Sequence, residues 1–230
     1  MFRCCLGDGK HALRFLEDIS KGESVTARDN PEILTSFGDI LGGEYKTTKD
    51  GLYFIPSKDK ARLKMGQSSS SVRSLLDVGF YIRHMAKPAD TLMIDEPELN
   101  LHPANQRRMA RLLARLVNAG VRVFITTHSD YILKEFNTLI MLGRGGAAAT
   151  RVMKEHGYDE KELLDATKIR AYIAQETLIK VDDASRKQRK QKYNTFVPAP
   201  INEYGIEIES FDDTINLMNE IQDELIFGDN

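Results

Sequence analysis

The stretch that most constrains this chain runs from Thr91 to Pro103, TLMIDEPELNLHP. Leu92, Met93 and Ile94 form an apolar run too short for a helix, which reads as a strand buried on both faces. The run ends on Asp95 and Glu96, and Pro97 then fixes φ and removes a donor, so the chain must turn or extend away. Carboxylates at the carboxyl end of a buried strand are costly to desolvate and are normally given a cation or a reaction to serve. A paired Asp-Glu there suits nucleotide hydrolysis, the first acid holding Mg2+ and the second orienting or deprotonating the attacking water. The competing reading is a strand end carrying two solvated acids.

Past this stretch, helix and strand alternate. Pro103 opens a helix at the position proline prefers. Met109, Leu112, Leu113, Leu116 and Val117 point to the core, and Arg107, Arg108, Arg111 and Arg115 are expected on a solvated face. Gly120 closes the helix, and Val121 to Thr126 reads as a second buried strand ending in Thr127-His128-Ser129-Asp130. Ser129 caps a helix through Phe136, and Leu139 to Leu142 reads as a further strand. This alternation with short links predicts an α/β fold, a parallel sheet flanked by helices. His128 then emerges on the same sheet edge as Asp95 and Glu96, placed to contact a γ-phosphate or the attacking water.

Upstream, the first twenty residues carry a helical pattern, with Leu13, Phe15, Leu16 and Ile19 on one face. Gly7-Asp8-Gly9-Lys10 approaches a phosphate-binding loop but does not complete one. Cys4 stands where GxxxxGK[ST] needs its first glycine, and His11 replaces the metal-binding hydroxyl. From Asp29 to Asp59 the signals change to turns and short strands. Tyr45 to Thr47 and Leu52 to Pro56 flank Thr48-Lys49-Asp50-Gly51, a hairpin signal that predicts a small antiparallel β lobe. Ser68 to Ser71 then precede a helical pattern through Val72, Leu75, Leu76, Gly79, Phe80 and Arg83. Ser69, Ser70 and Ser71 therefore stand at a helix amino end, where free N–H groups and the dipole favour a phosphate. A serine run is also a common linker or N-cap.

Beyond the sheet, Gly143 to Thr150 reads as a flexible turn, Asp159 to Ala166 as a helix and Ile169 to Val181 as a strand. The basic run Arg186 to Lys192 reads as an exposed loop able to touch phosphates, Gly205 to Glu209 as a short strand, and Phe211 to Phe227 as an amphipathic helix. The chain divides into residues 1–66, an N-terminal helix and small β lobe; residues 67–150, the core; and residues 151–230, an α/β extension that completes the domain.

Net charge is -2, which gives no overall attraction to nucleic acid or anionic membrane. No run of 18 apolar residues and no signal-peptide core occurs, so a cytoplasmic location is expected. Cys4 and Cys5 are adjacent, without a CxxC partner, and read as free thiols.

Taken in order, SSSSV before a helix, LMIDEPELNLHP and FITTHSDYIL resemble the signature loop, the Walker B strand with its D-loop, and the switch-histidine strand of ABC-type ATPases. The chain looks like an AAA-like, ABC-class ATPase related to the overcoming-lysogenisation-defect family, strongly over Asp39 to Leu142. The resemblance implies a P-loop NTPase fold with ATP and Mg2+ as cofactors. It implies Asp95 as the Walker B acid holding Mg2+, Glu96 and His128 as catalytic residues, and Ser69, with Ser70 and Ser71, at the γ-phosphate. Glu98, Asn100 and His102 would belong to a D-loop across a dimer interface. Two departures stand out: Ser71 and Val72 replace the usual signature glycine and its following Gln or Glu, and no phosphate loop or Q-loop is found. The sequence is thus similar to the carboxyl-terminal half of such an enzyme. It would hydrolyse ATP only when another chain supplies Walker A, and would act on an effector such as a nuclease or toxin in phage defence. The alternatives are a non-catalytic regulatory subunit or a truncated remnant docking on an intact ATPase, and, ranked last, a nucleic-acid-binding module built on the two basic stretches.

Overall fold

The computed structural model describes residues 22–59, 61–182, 188–207 and 209–227. The expected N-terminal helix, the Gly7 to Lys10 fragment and Cys4 and Cys5 lie outside the described residues.

The described chain begins as a strap. Ser24 caps α1 (Val25–Asp29) by accepting from the Ala27 N–H at 3.0 Å, while its hydroxyl donates to the Ile82 carbonyl at 2.6 Å. Proline at the first position starts α2 (Pro31–Leu41), and Gly42, at φ 70°, ends it in the left-handed conformation that glycine adopts without steric cost. The predicted hairpin is present. β1 (Gly43–Thr48) pairs antiparallel with β2 (Gly51–Pro56), Thr48 opposite Gly51, and β3 (Leu63–Lys64) adds a third strand. The serines lead into α3 (Ser70–Ser74) and α4 (Leu76–Phe80), which continue through a π-helical turn at Tyr81–Met85.

β4 (Thr91–Asp95) and β5 (Arg122–Thr126) run parallel, in register from Thr91 opposite Arg122 to Asp95 opposite Thr126. The helix between them, α5 (Pro103–Asn118), is the centre of the molecule, with Met109, Leu112 and Leu116 fully buried. Ile33 and Phe37 of α2, Phe54 of β2, Val72, and Leu92 of β4 join the same core, so the small antiparallel sheet and the parallel pair share one interior. A second cluster gathers Leu133, Leu139 and Ile140 of α6 (Asp130–Gly143) around Leu164, Ala199 and Ile206. α7 (Ala147–His156) comes next, then two 3-10 turns at Glu160–Glu162 and Ala166–Lys168. The long antiparallel pair β6 (Tyr172–Asp182) and β7 (Gln188–Pro198), the short pair β8 (Ile201–Asn202) and β9 (Gly205–Ile206), and α8 (Glu209–Phe227) complete the mixed α/β fold.

Several expectations are corrected. Leu139 to Leu142 is not a strand but the last turns of α6; a four-residue apolar run fits either period, and here Leu133, Phe136, Leu139 and Ile140 fall at helical spacing against the second core. Among the described residues the parallel sheet is therefore two-stranded. β4 is not buried on both faces: Leu92 and Ile94 pack inward, whereas Met93 is 61% exposed. Gly143 and Ala147 to Thr150 belong to helices, leaving only a short turn at Gly145 and Gly146, and Asp159 to Ala166 is not a helix. Of the basic run, Arg186 and Lys187 lie outside the described residues, and Gln188 to Lys192 is strand rather than loop because β6 pairs with it along its whole length. The arginine stripe of α5 is not simply solvated. Arg107 bonds Glu135 at 2.6 Å, Arg111 bonds Glu162 at 2.7 Å, and Arg115 reaches both Glu162 and Asp159.

Candidate functional site

The carboxyl ends of β4 and β5 carry the predicted acids and histidine, and the sequence dictates how they meet. Register sets Asp95 beside Thr126, whose hydroxyl donates to Asp95 Oδ1. The same Thr126 holds Glu96: its carbonyl accepts from the Glu96 N–H at 3.1 Å and its Oγ1 does so at 3.2 Å. These two bonds fix Glu96 at φ 48°, a left-handed conformation uncommon for a residue with a Cβ. Such strain costs about 1–3 kcal/mol and concentrates at functional positions. Pro97 favours extended backbone at the residue before it, so the left-handed turn is held against that preference by the Thr126 bonds. The result turns the Glu96 side chain toward the second strand, where its Oε1 lies 3.7 Å from His128 Nε2. The His128 ring is 86% exposed, open to a ligand arriving from solvent.

The loop after Pro97 holds this pair in place. Glu98 Oε1 accepts from the Thr127 hydroxyl at 2.8 Å and from the His128 backbone N–H at 2.7 Å, so a residue after β4 fixes the backbone after β5. Glu98 Oε2 is buried with no partner among the described residues. Asn100 is also left-handed, at φ 62°, and His102 caps α5 by accepting from the Ala104 N–H at 3.2 Å through Nδ1. Ser129 caps α6, as expected, and also bonds Gln106 Oε1 of α5 at 2.5 Å.

The serines stand at the start of α3 with their hydroxyls engaged locally. Ser69 Oγ accepts from the Val72 N–H at 3.3 Å and lies 2.8 Å from Ser71 Oγ, while Ser70 Oγ accepts from Arg73 at 3.2 Å. α3 has five residues, so its dipole is short. One contact joins it to the acidic edge: the Ser74 hydroxyl donates to the Leu99 carbonyl at 3.4 Å. Asp95, Glu96, Glu98 and His128 are thus gathered at one edge, and the serine helix is tied to the loop beside them. Thr126 and Thr127, which orient three of these groups, fall inside the FITTHSDYIL motif without a role read from it, because a threonine at a strand end is ordinary until pairing is known. The register implied by the two apolar runs is the signal that places Thr126 opposite Asp95.

Among the described residues no group of three or more His, Cys, Asp or Glu converges to hold a metal ion. Mg2+ at nucleotide sites takes one or two carboxylates and completes its shell with water and phosphate oxygens. Asp95, exposed and with one oxygen engaged by Thr126, fits that single-carboxylate role rather than an all-protein cage. Among the described residues no helix is long and apolar enough to cross a membrane.

A family model described as an AAA ATPase domain matches residues 10–133. UvrABC system protein A of Lactiplantibacillus plantarum is 28% identical over 180 residues, covering 63% of this chain and 18% of that protein. Its Bacillus subtilis counterpart is 27% identical over 195 residues, covering 69% and 19%. The chain thus spans about a fifth of the length of the curated relatives it matches. A solved chain from work on ATP-driven dimerization and DNA-stimulated activation of SMC ATPases aligns over 94% of this chain and 98% of its own, at 13% identity and a TM-score of 0.41.

Proposed function

The chain belongs to the AAA ATPase domain family, and on that premise we propose that it forms the Walker B, D-loop and signature part of an ABC-type ATP-hydrolysing site. The observation that carries this reading is the strained Glu96, held by Thr126 beside Asp95 and directed at His128. In this reading Asp95 binds the Mg2+ that accompanies ATP. Mg2+ held there would supply positive charge against the phosphates. Thr126 keeps one Asp95 oxygen occupied and leaves the other free to ligate. Glu96 accepts a hydrogen bond from the attacking water and takes its proton as the water oxygen bonds to the γ-phosphorus and the bond from that phosphorus to the β–γ bridging oxygen breaks, releasing ADP and phosphate. His128 contacts the γ-phosphate, and Glu98 fixes its backbone so that the dyad and the histidine hold one geometry. Ser69, Ser70 and Ser71 meet the γ-phosphate of a nucleotide held by a second subunit, and Asn100 and His102 belong to the loop facing that subunit.

No GxxxxGK[ST] occurs in these 230 residues. In this reading the phosphate loop comes from outside these residues, on a Walker A-bearing partner or a dimer mate, with which the chain works in the cytoplasm as an assembly related to the overcoming-lysogenisation-defect ATPases. On that resemblance alone rests the further step that the cycle gates an effector, a nuclease or toxin, in anti-phage defence.

The test is ATP turnover by the purified chain, alone and mixed with the product of a neighbouring reading frame that carries GxxxxGK[ST], with Glu96→Gln in this chain as control. Turnover only in the mixture, abolished by Glu96→Gln, is the expected result. Turnover by the chain alone overturns the assignment of the phosphate loop to a partner. Turnover in the mixture that survives Glu96→Gln makes this chain a regulatory subunit.

A further inference from the structure

The carboxyl edge that carries Asp95 and Glu96 stands above a bare sheet face. Side chains alternate along a strand, and the register pairs Thr91 with Arg122, Met93 with Phe124, and Asp95 with Thr126. These residues share one side of the β4–β5 pair and all of them are exposed, Met93 at 61% and Phe124 at 54%. Leu92, Ile94, Val123 and Ile125 alternate with them and turn the other way, into the core with Met109 and Leu116 of α5. A parallel sheet is ordinarily covered on both faces, because the crossovers between its strands place helices there. Among the described residues one face has its helix, and the other shows two large apolar side chains side by side to solvent.

The charges at the two ends of that face have opposite sign. Asp95, with Glu96 next to it, stands at the carboxyl edge, and Arg122 stands at the amino edge, where its guanidinium donates to the Ala89 carbonyl at 2.6 Å. A helix lying antiparallel to the strands matches both, its amino end toward the acids and its carboxyl end toward the arginine. The paired stretch of β4 and β5 spans about 16 Å, which about eleven helical residues cover. A phosphate loop GxxxxGK[ST] opens a helix, so the phosphates it cradles lie at that helix's amino end. For Asp95 to hold Mg2+ on the same phosphates, that amino end must come to the carboxyl edge of β4 and β5. Since α5 already covers the other face, the face of Met93 and Phe124 is the one left for the helix.

We propose that the Met93 and Phe124 face is the seat of the helix that follows a phosphate loop supplied from outside these 230 residues. The inference rests on the reading of Asp95 and Glu96 as part of an ATPase site, and it names the surface by which that site is completed. The incoming helix lays an apolar stripe over Met93 and Phe124, runs antiparallel to β4 and β5, and presents its loop to Asp95. Residues 1–21 do not meet this description, because Cys4 and His11 stand where the loop needs its first glycine and its hydroxyl. A second copy of this chain fails for the same reason.

The test is photocrosslinking of the full chain in its own host cell, with Phe124→p-benzoylphenylalanine and, separately, Thr91→p-benzoylphenylalanine, the crosslinked peptides being read by mass spectrometry. Phe124 is expected to crosslink within about three helical turns after a GxxxxGK[ST] that lies outside these residues, and Thr91 to the same helix farther from the loop. Adding Met93→Asp is expected to abolish both crosslinks while circular dichroism of the purified variant is unchanged. A crosslink to this chain's own residues, within one copy or between two, overturns the proposal, as does one to a segment without a phosphate loop. The reverse order of the two positions, crosslinks that survive Met93→Asp, or no crosslink from a folded variant overturn it equally. Turnover by the assembly with Glu96→Gln separates this inference from the ATPase reading. The expected crosslinks together with turnover that survives Glu96→Gln support the docking and overturn that reading, whereas turnover abolished by Glu96→Gln with the crosslinks elsewhere overturns the docking alone.

Discussion

Glu162→Ala should be among the most damaging single changes outside the acidic edge, and its size follows from the burial of its partners. Glu162 is 3% exposed; Oε1 accepts from Arg115 Nε at 3.1 Å, and Oε2 bonds Arg111 at 2.7 Å and the Asp159 N–H at 3.0 Å. Without it, Arg115, itself 9% exposed, keeps only the outlying Asp159 at 3.3 Å. Removing one member of a buried pair costs about 3–5 kcal/mol, because the remaining charge stays desolvated. Arg111 softens the effect, being partly exposed and stacked 4.5 Å over Tyr158, so the lower end, about 3 kcal/mol, is expected. For a chain of this size that is about 6–12 °C in melting temperature. Arg115→Met/Glu162→Leu should recover much of the loss, because the buried Arg115 charge goes with its partner and the two charges that lose a partner, Arg111 and Asp159, are partly exposed. Thermal melts of the three proteins decide the matter. A Glu162→Ala protein within about 1 kcal/mol of wild type, or a double variant no better than the single one, would refute the reasoning.

Gly43→Ala should weaken β1–β2 pairing by about 1–3 kcal/mol, because a Cβ there would sit 2.2 Å from the Ile55 carbonyl and 2.6 Å from the Phe54 ring; the readout is the thermal midpoint. Thr126→Val should cost about 1 kcal/mol in stability. It should lower ATP turnover of the completed assembly by freeing Asp95 and loosening Glu96, while Thr126→Ser keeps both bonds and the activity. The Lys161 backbone N–H and the Arg115 guanidinium hold the Asp159 carboxyl below its ordinary 3.8. Folding therefore favours the ionised form, and this stabilisation is present above the unfolded value and lost as pH falls through the lower folded one. Urea midpoints should decline below about pH 4, less steeply in Asp159→Asn.

The elements that were legible in the sequence are those whose signal is local. The hairpin turn in Thr48-Lys49-Asp50-Gly51, the proline starting α5 and the Ser129 cap each depend on residues within one turn of themselves, and each is where its chemistry requires. Local signals mislead where tertiary partners decide. Leu139 to Leu142 fits strand or helix equally, and packing against Leu164 and Ile206 settles it as helix. The arginines of α5 resemble a wet stripe until the acids at Glu135, Asp159 and Glu162, distant in sequence, fold onto them. Gln188 to Lys192 looks too charged for a strand, yet eleven paired positions with β6 outweigh that local preference. At the candidate site the acids and His128 announce themselves, whereas Thr126 and Glu98 can be assigned their roles only from pairing.

Glu98 shows why the stretch TLMIDEPELNLHP has to be read as a unit rather than as an acidic dyad with a tail. Asp95 and Glu96 end one strand and His128 comes after the next, so nothing in strand pairing alone fixes the loop that carries the histidine. Glu98 supplies that link by accepting from both Thr127 and the His128 N–H, while the neighbouring Leu99 carbonyl accepts from Ser74 at the end of the serine helix. Two adjacent residues therefore connect the acids, the histidine loop and α3 by hydrogen bonds of 2.7–3.4 Å. Any ligand that displaces His128 must work against the Glu98 bonds, and any shift of α3 pulls on the loop that contains them. The left-handed turns at Glu96 and Asn100 bracket this segment and give the short loop the reach to touch both sides. The left-handed backbone at those two positions is therefore the cost of a loop built to join three parts of the site.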